Sequence, residues 1–137
     1  MQLILNRQML DTMCAHVESC LPLEACGLLA GKENFVRQVL TVTNQAKSPV
    51  RFRMDPFEQI QAFEWMESNG LDLIGIFHSH PEGPETVSVA DIAEAAYDVV
   101  YIIWSRQNGI WKARGFWFEN GRASEVELVS STGSSSG

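Results

Sequence analysis

Two histidines one residue apart, His78 and His80, close an apolar stretch that begins at Leu71. Side chains of an extended chain alternate with period two, so both imidazoles project to one side of the strand and can grip one ion. Pro81 ends the strand and stiffens its exit. Ser88-Val89-Ala90-Asp91 then opens a helix and puts Asp91 in its first turn, placed to bring a carboxylate to the same ion as a third ligand. Two histidines and a carboxylate suit mononuclear zinc with a fourth position left to water, the open arrangement that separates catalytic from structural zinc. A plainer reading stands beside this one. HxH occurs by chance, and Ser-x-x-Asp ahead of apolar residues is a helix-start signature in its own right, with Ser88 as an N-cap and no more. On these two motifs alone both readings stay open.

The elements that must hold these residues follow from pattern. Leu3 to Leu5 reads as a short strand, and Asn6 can cap a helix from about Arg7 to Ser19 whose Leu10, Met13, Cys14 and Val17, with Leu21 beyond, recur at helical spacing. His16 lies at the edge of that stripe and reads as a helix-surface histidine. After Pro22, the apolar run behind Glu24 reads as a buried strand, Gly31 to Asn34 as a turn, and Phe35 to Thr43 as a β-branched second strand. Glu24 is a carboxylate at the mouth of an apolar strand; by itself it reads as a solvated loop residue.

Asn44 to Arg53 is a polar loop. Asp55-Pro56-Phe57-Glu58 starts a helix with a capping Asp, Pro at the first position and Glu in the first turn. Phe57, Ile60, Phe63 and Met66 form its expected core face, and Gly70 stops it. Leu71 to Phe77 and Val99 to Trp104 are continuous apolar runs, as central strands are. Between them, Glu82 to Val87 is a loop and Ala90 to about Tyr97 a third helix. Asn108-Gly109 and Asn120-Gly121 turn the chain into strands at Ile110–Phe118 and Ala123–Val129. The expected architecture is mixed α/β: a central sheet of about five or six strands with around three helices. Residues 1 to 129 form one domain, and 130 to 137, rich in Ser and Gly, are set aside as a disordered tail or expression remnant.

Composition narrows the function classes. The chain has 137 residues, 45% hydrophobic and 20% charged, with a formal charge of −7. An acidic chain without a Lys/Arg cluster argues against nucleic acid, whose phosphates want a basic surface. No stretch approaches the roughly 20 apolar residues of a membrane span, and Leu3-Ile4-Leu5 is too short for a signal peptide. Cys14, Cys20 and Cys26 are an odd number without CxxC, which points to buried thiols in a reducing cytoplasm and not to a disulfide framework. Neither GxGxxG nor GxxxxGK[ST] occurs, so nucleotide binding has no support.

Several metal enzymes use HxH. A (β/α)₈ hydrolase needs about 250 residues. A β-lactamase-like metallohydrolase continues HxHxDH, whereas His80 is followed here by Pro81-Glu82-Gly83-Pro84. The helical HExxH is absent. A two-His-one-carboxylate iron oxygenase stays open on ligand chemistry.

What remains resembles the JAMM (MPN+) metalloprotease family. Its pattern is a glutamate near the first core strand, then HxHPx(7)SxxD. Here these are Glu24 in Pro22-Leu23-Glu24-Ala25-Cys26-Gly27-Leu28-Leu29, followed by His78, His80, Pro81, Ser88 and Asp91. Phe52-Arg53-Met54-Asp55-Pro56 and Gly75-Ile76-Phe77-His78-Ser79-His80-Pro81 look like the small prokaryotic members. The likeness spans about residues 1 to 128, and all five functional positions match.

The resemblance implies the MPN/JAB (cytidine deaminase-like) fold and a set of roles. His78, His80 and Asp91 hold Zn²⁺. Glu24 takes a water proton and passes it to the leaving amine. Ser88 donates to the developing oxyanion. Ser79 points away from the metal by strand alternation, and Cys26 is core and not a nucleophile. The resemblance further implies a protease or isopeptidase acting after the C-terminal Gly-Gly of a ubiquitin-like or sulfur-carrier β-grasp protein. The alternative of another class is a non-catalytic MPN-type interaction module; intact Glu24 and Ser88, which a scaffold does not need, speak against it.

Overall fold

The computed structural model describes residues 1–88, 91–92 and 95–131. Among them run seven strands and two helices: β1 (Gln2–Asn6), α1 (Arg7–Ser19), β2 (Cys26–Lys32), β3 (Phe35–Val42), α2 (Pro56–Ser68), β4 (Asp72–His80), β5 (Val100–Gln107), β6 (Ile110–Glu119) and β7 (Arg122–Ser131). The strands join in the order β1-β3-β2-β4-β5-β6-β7 and the sheet closes on itself. This corrects the expected central sheet of five or six strands. The closing strand is β1, short and easily discounted in sequence, which pairs in parallel with β7 from Gln2 opposite Glu127 to Asn6 opposite Ser131 and meets β3 at Ile4 opposite Phe35. β7 therefore carries Ser130 and Ser131, two residues into the stretch set aside as a tail; residues 132–137 lie outside the described residues.

Local chemistry accounts for the element ends. The Asn6 side chain accepts from the Met9 N–H at 2.9 Å and caps α1. Asp55 does the same for α2, accepting from the N–H groups of Phe57 and Glu58, with Pro56 in the first turn. Asn108-Gly109 and Asn120-Gly121 all take positive φ, which a two-residue hairpin with the strand's own twist demands. Gly27 is required by packing: a Cβ there would run into the Phe77 ring.

The alternation of each strand divides the core in two. One cluster gathers Leu3, Leu5, Leu29, Phe77, Ile102, Trp104 and Val126 around Met13 and Val17 of α1. The other gathers Cys26, Leu28, Ala30, Ile76 and Tyr101 around Ala62 and Met66 of α2. The expected core face of α2 is thus half wrong. Met66 is buried, but Phe57 is 71% exposed and Ile60 56% exposed. Helical spacing reports a stripe, not which part of the stripe meets the sheet; α2 docks through Ala62 and Met66, and Phe57 and Ile60 lie in its first turns, beyond that contact. The third helix expected over Ala90–Tyr97 falls partly on residues 90, 93 and 94, outside the described residues. Asp91 and Ile92 are helical, while Ala95 to Tyr97 are not.

Candidate functional site

β4 sits between β2 and β5, and its last turn of pleat brings His78 opposite Cys26 and Ile103, and His80 opposite Ser105. A strand flanked on both sides cannot shift register without flipping its side chains, so the two imidazoles are fixed on the face that carries Ile76 and α2. They are buried, His78 to 1% exposure and His80 to 5%. Ser79 faces the other way, as alternation requires. It is fully buried and stitches β4 to the segment ahead of β2: its Oγ accepts from the Ala25 N–H at 2.8 Å and its own N–H donates to the Ala25 carbonyl at 3.1 Å.

Asp91 reaches the same point from the other side of the 81–88 loop. His78 Nε2 lies 3.1 Å from Asp91 Oδ1, His80 Nε2 lies 3.2 Å from Asp91 Oδ2, and the two Nε2 atoms are 3.1 Å apart. Ligand atoms at about 2.0–2.1 Å around one tetrahedral ion stand roughly 3.3 Å from each other. Three side chains converge here with contacts at nearly that spacing, through two ring nitrogens and the two oxygens of one carboxylate, and the set fits a divalent cation of zinc's kind. Among the described residues this is the group of His, Cys, Asp and Glu side chains positioned for a metal.

The supports of the three ligands differ. His80 Nδ1 donates to the Pro84 carbonyl at 2.8 Å, which fixes the tautomer and leaves Nε2 facing the centre. Ser88 and Asp91 hold one another: the Ser88 N–H donates to Asp91 Oδ2 at 2.8 Å and the Asp91 N–H donates to Ser88 Oγ at 3.0 Å. This reciprocal capping box satisfies the helix-start reading of Ser88. It does not use up the residue, because a hydroxyl that accepts one bond keeps its own hydrogen to donate. His78 has no such support on its second ring nitrogen; Nδ1 is buried without a partner among the described residues, and the Phe52 ring lies stacked on the imidazole with centroids 4.6 Å apart.

Electrostatics matches the ligand chemistry at His78 and Asp91, and runs against it at His80. Burial lowers the pKa of His78, against the opposing pull of Asp91, and keeps the imidazole neutral with a lone pair to give. Burial also opposes charge on His80, but the bonds to Asp91 and to the Pro84 carbonyl outweigh it and raise that group. Burial works against ionised Asp91 as well; hydrogen bonds from His78, His80 and the Ser88 N–H overcome it and hold the carboxyl well below the usual range.

Glu24 is 4% exposed, which overturns its plain reading as a solvated loop residue. Its carboxylate charge bears on His80. Its backbone is pinned on both sides: the Glu24 N–H donates to the Ser48 carbonyl at 2.8 Å, and its carbonyl accepts from Asn44 Nδ2 at 2.9 Å. The structure thus gathers His78, His80 and Asp91, puts Ser88 beside Asp91, and leaves His16 elsewhere. His16 is half-buried and not a simple surface residue; its Nε2 contacts the Cys26 carbonyl at 3.1 Å and its ring meets the edge of Phe77. Burial, with Cys20, Glu24 and Glu58 adding to it, pushes the Cys26 thiol up to about 12, so it carries almost no thiolate at neutral pH.

Two residues with evident parts here have no role assigned from sequence: Asn44 stands there as the start of a polar loop, and Phe52 only within a stretch similar to the family. Asn44 is buried and makes four bonds, donating to the Glu24 and Arg51 carbonyls and accepting from the N–H groups of Ala46 and Arg53. Phe52, between the two anchored arginines, is the ring on His78. An Asn followed by a polar stretch announces a loop but not what the loop grips.

Comparison with known proteins gives the family and the fold. The family described as "Prokaryotic homologs of the JAB domain" matches residues 6–118. A desampylase of Pyrococcus furiosus is 39% identical over 116 residues, 82% of this chain and 80% of the relative. A probable TtuB-protein conjugate cleaving protease of Thermus thermophilus is 35% identical over 128 residues, 93% of this chain and 82% of the relative. Among solved structures, protein DSY2949 from Desulfitobacterium hafniense superposes with a TM-score of 0.87 at 32% identity, over 95% of this chain and 93% of the other. The JAB1/MPN domain protein AF2198 from Archaeoglobus fulgidus shares the fold with a TM-score of 0.58 at 21% identity, over 93% of this chain and 98% of the other.

Proposed function

This chain belongs to the family of prokaryotic homologs of the JAB domain, and on that premise we propose that it is a zinc-dependent peptidase that cleaves the bond after the C-terminal Gly-Gly of a ubiquitin-like or sulfur-carrier β-grasp protein. The observation that carries this reading is the convergence of His78, His80 and Asp91 with buried Glu24 beside them. A scaffold has no use for a buried carboxylate next to a metal-ligand histidine.

His78, His80 and Asp91 hold the ion. Zn²⁺ supplies Lewis-acid chemistry there, polarising a carbonyl and bringing the pKa of water down to about 7. Glu24 takes the proton of the attacking water and delivers it to the nitrogen of the departing amine. Ser88 donates its hydroxyl hydrogen to the scissile oxygen as that atom gains charge. The inert Cys26 thiol has no part, and no covalent acyl-enzyme forms. A groove of about 520 Å³ is lined by Gln45, Ala46, Arg51, Phe52 and Arg53, and its Phe52 ring is the one stacked on His78, which makes this groove our proposed track for the extended Gly-Gly tail. The three free cysteines suit a reducing cytoplasm.

A β-grasp protein extended past its Gly-Gly end, incubated with the zinc-loaded protein, tests the reading by product mass. Cleavage after the second glycine, abolished by a chelator and restored by zinc, is the expected result. Protein shown to carry one zinc that cleaves none of a panel of ubiquitin-like and sulfur-carrier substrates would instead favour the interaction module.

A further inference from the structure

Metal-binding histidines ordinarily donate their second ring nitrogen to an acceptor, which fixes the ring's rotation and tautomer. His80 obeys this rule through Pro84, but His78 does not: its Nδ1 is buried without a partner among the described residues. What the His78 ring has is a parallel neighbour. The Phe52 ring lies on it at 4.6 Å between centroids with 23° between planes, an offset-stack distance, while His80 meets it edge-on at 4.9 Å and 60°. We propose that Phe52 is a positioning residue for the metal centre, setting the rotation of His78 by stacking where His80 is set by a hydrogen bond.

The backbone around Phe52 is built for such a part. Asn44 accepts from the Arg53 N–H at 2.9 Å and donates to the Arg51 carbonyl at 3.0 Å, so one buried amide clamps the residues on both sides of the ring. An isolated bridge between Asn44 and Met54 ties the same turn to the end of β3. A further bond of Asn44 reaches the Glu24 carbonyl, so the backbone beside Phe52 and that of Glu24 share one anchor. Phe52 is half-buried and borders both the groove at Arg51 and Arg53 and a second cleft of about 320 Å³ toward Tyr97, so its outer side also forms wall between them. A flexible aliphatic side chain fills similar space but offers no flat face to hold an imidazole in one rotation.

This inference rests on the reading of His78 as a metal ligand, and the test separates the two. Zinc affinity is measured by competition with a chromophoric chelator for the parent, Phe52→Leu, Phe52→Tyr and His80→Ala, with the melting temperature of each metal-free protein taken alongside. The expected result is one zinc in the parent, affinity about 10–100-fold weaker in Phe52→Leu, near-parental affinity in Phe52→Tyr, and none in His80→Ala. A folded Phe52→Leu that binds zinc like the parent overturns the positioning role alone. A parent that binds no zinc overturns the metal centre and this role with it. Should Phe52→Leu not fold, NMR of the metal-free parent decides: the ring current of Phe52 shifts the His78 ring protons upfield, and their appearance at random-coil positions overturns the stack.

Discussion

At Glu24 and His80 two neighbouring side chains divide the proposed chemistry between a proton and a metal, and substitution can take them apart. Glu24→Gln keeps the shape and the backbone bonds to Ser48 and Asn44 but cannot accept a proton. Zinc content by metal analysis is expected to remain at one per chain while hydrolysis falls by about 10²–10⁴, the usual share of a positioned acid–base group. His80→Ala removes a ligand that both Asp91 and Pro84 orient, and is expected to lose zinc and activity together. Loss of zinc from the Glu24→Gln variant would sink the assignment of Glu24 as base and make it a ligand. At this scale the sequence is informative where spacing encodes chemistry. His78, His80, Ser88 and Asp91 are close in the chain, so strand period and helix capping bring them together. Glu24 is legible as a carboxylate before a strand, but its burial is not, because that depends on Asn44 holding its carbonyl and Ser79 holding the backbone of the next residue, Ala25. Phe52 is not legible as a part of the site at all; the ring it supports lies on β4, with the whole of α2 between them in the chain.

Among the elements, the 44–54 loop does more for the site than either helix. It crosses from β3 to α2, and all four polar valences of the Asn44 amide are spent along it and on Glu24. Replacing Asn44 by Ala removes one buried hydrogen bond, to the Glu24 carbonyl, and three part-buried ones; a buried group left unsatisfied by such a loss costs about 1–3 kcal/mol. We expect Asn44→Ala to lower the unfolding free energy by at least about 2 kcal/mol in urea titrations and to depress hydrolysis in the protein that remains folded, since Glu24 and Phe52 both lose their tether. A loss under about 0.5 kcal/mol, the ordinary surface effect, would mean that the loop is held by something other than this amide. Element boundaries are where pattern reasoning performs well here: the capped starts of α1 and α2 and both Asn-Gly turns lie where local chemistry puts them. The face of α2 is where it fails, since the exposed Phe57 and Ile60 obey the same spacing as the buried Met66 and only the position of the sheet distinguishes them.

For the whole molecule, closure is the property least visible in the chain. β1 and β7 stand at opposite ends of the sequence and pair in parallel across five positions, and nothing local in Leu3 or Leu5 announces that partner. β4 is the middle strand of the order, paired on both sides by β2 and β5, so the two histidines sit at the centre of the sheet while Asp91 arrives on a segment outside it. A metal bound by all three therefore joins barrel to loop and binds the folded state alone, because the unfolded chain has no such triangle. Ligation of that kind raises stability by RT ln(1 + [L]/Kd), about 4 kcal/mol at a free concentration roughly 1,000 times Kd. For a domain of this size that corresponds to a rise in melting temperature on the order of 10 °C. Calorimetry of the protein with excess zinc and after exhaustive chelation should show this gap, and His80→Ala should melt at one temperature in both. Equal melting temperatures in a parent that carries zinc would place the ion somewhere other than between β4 and Asp91, since a cation holding those two elements together must be lost when they separate.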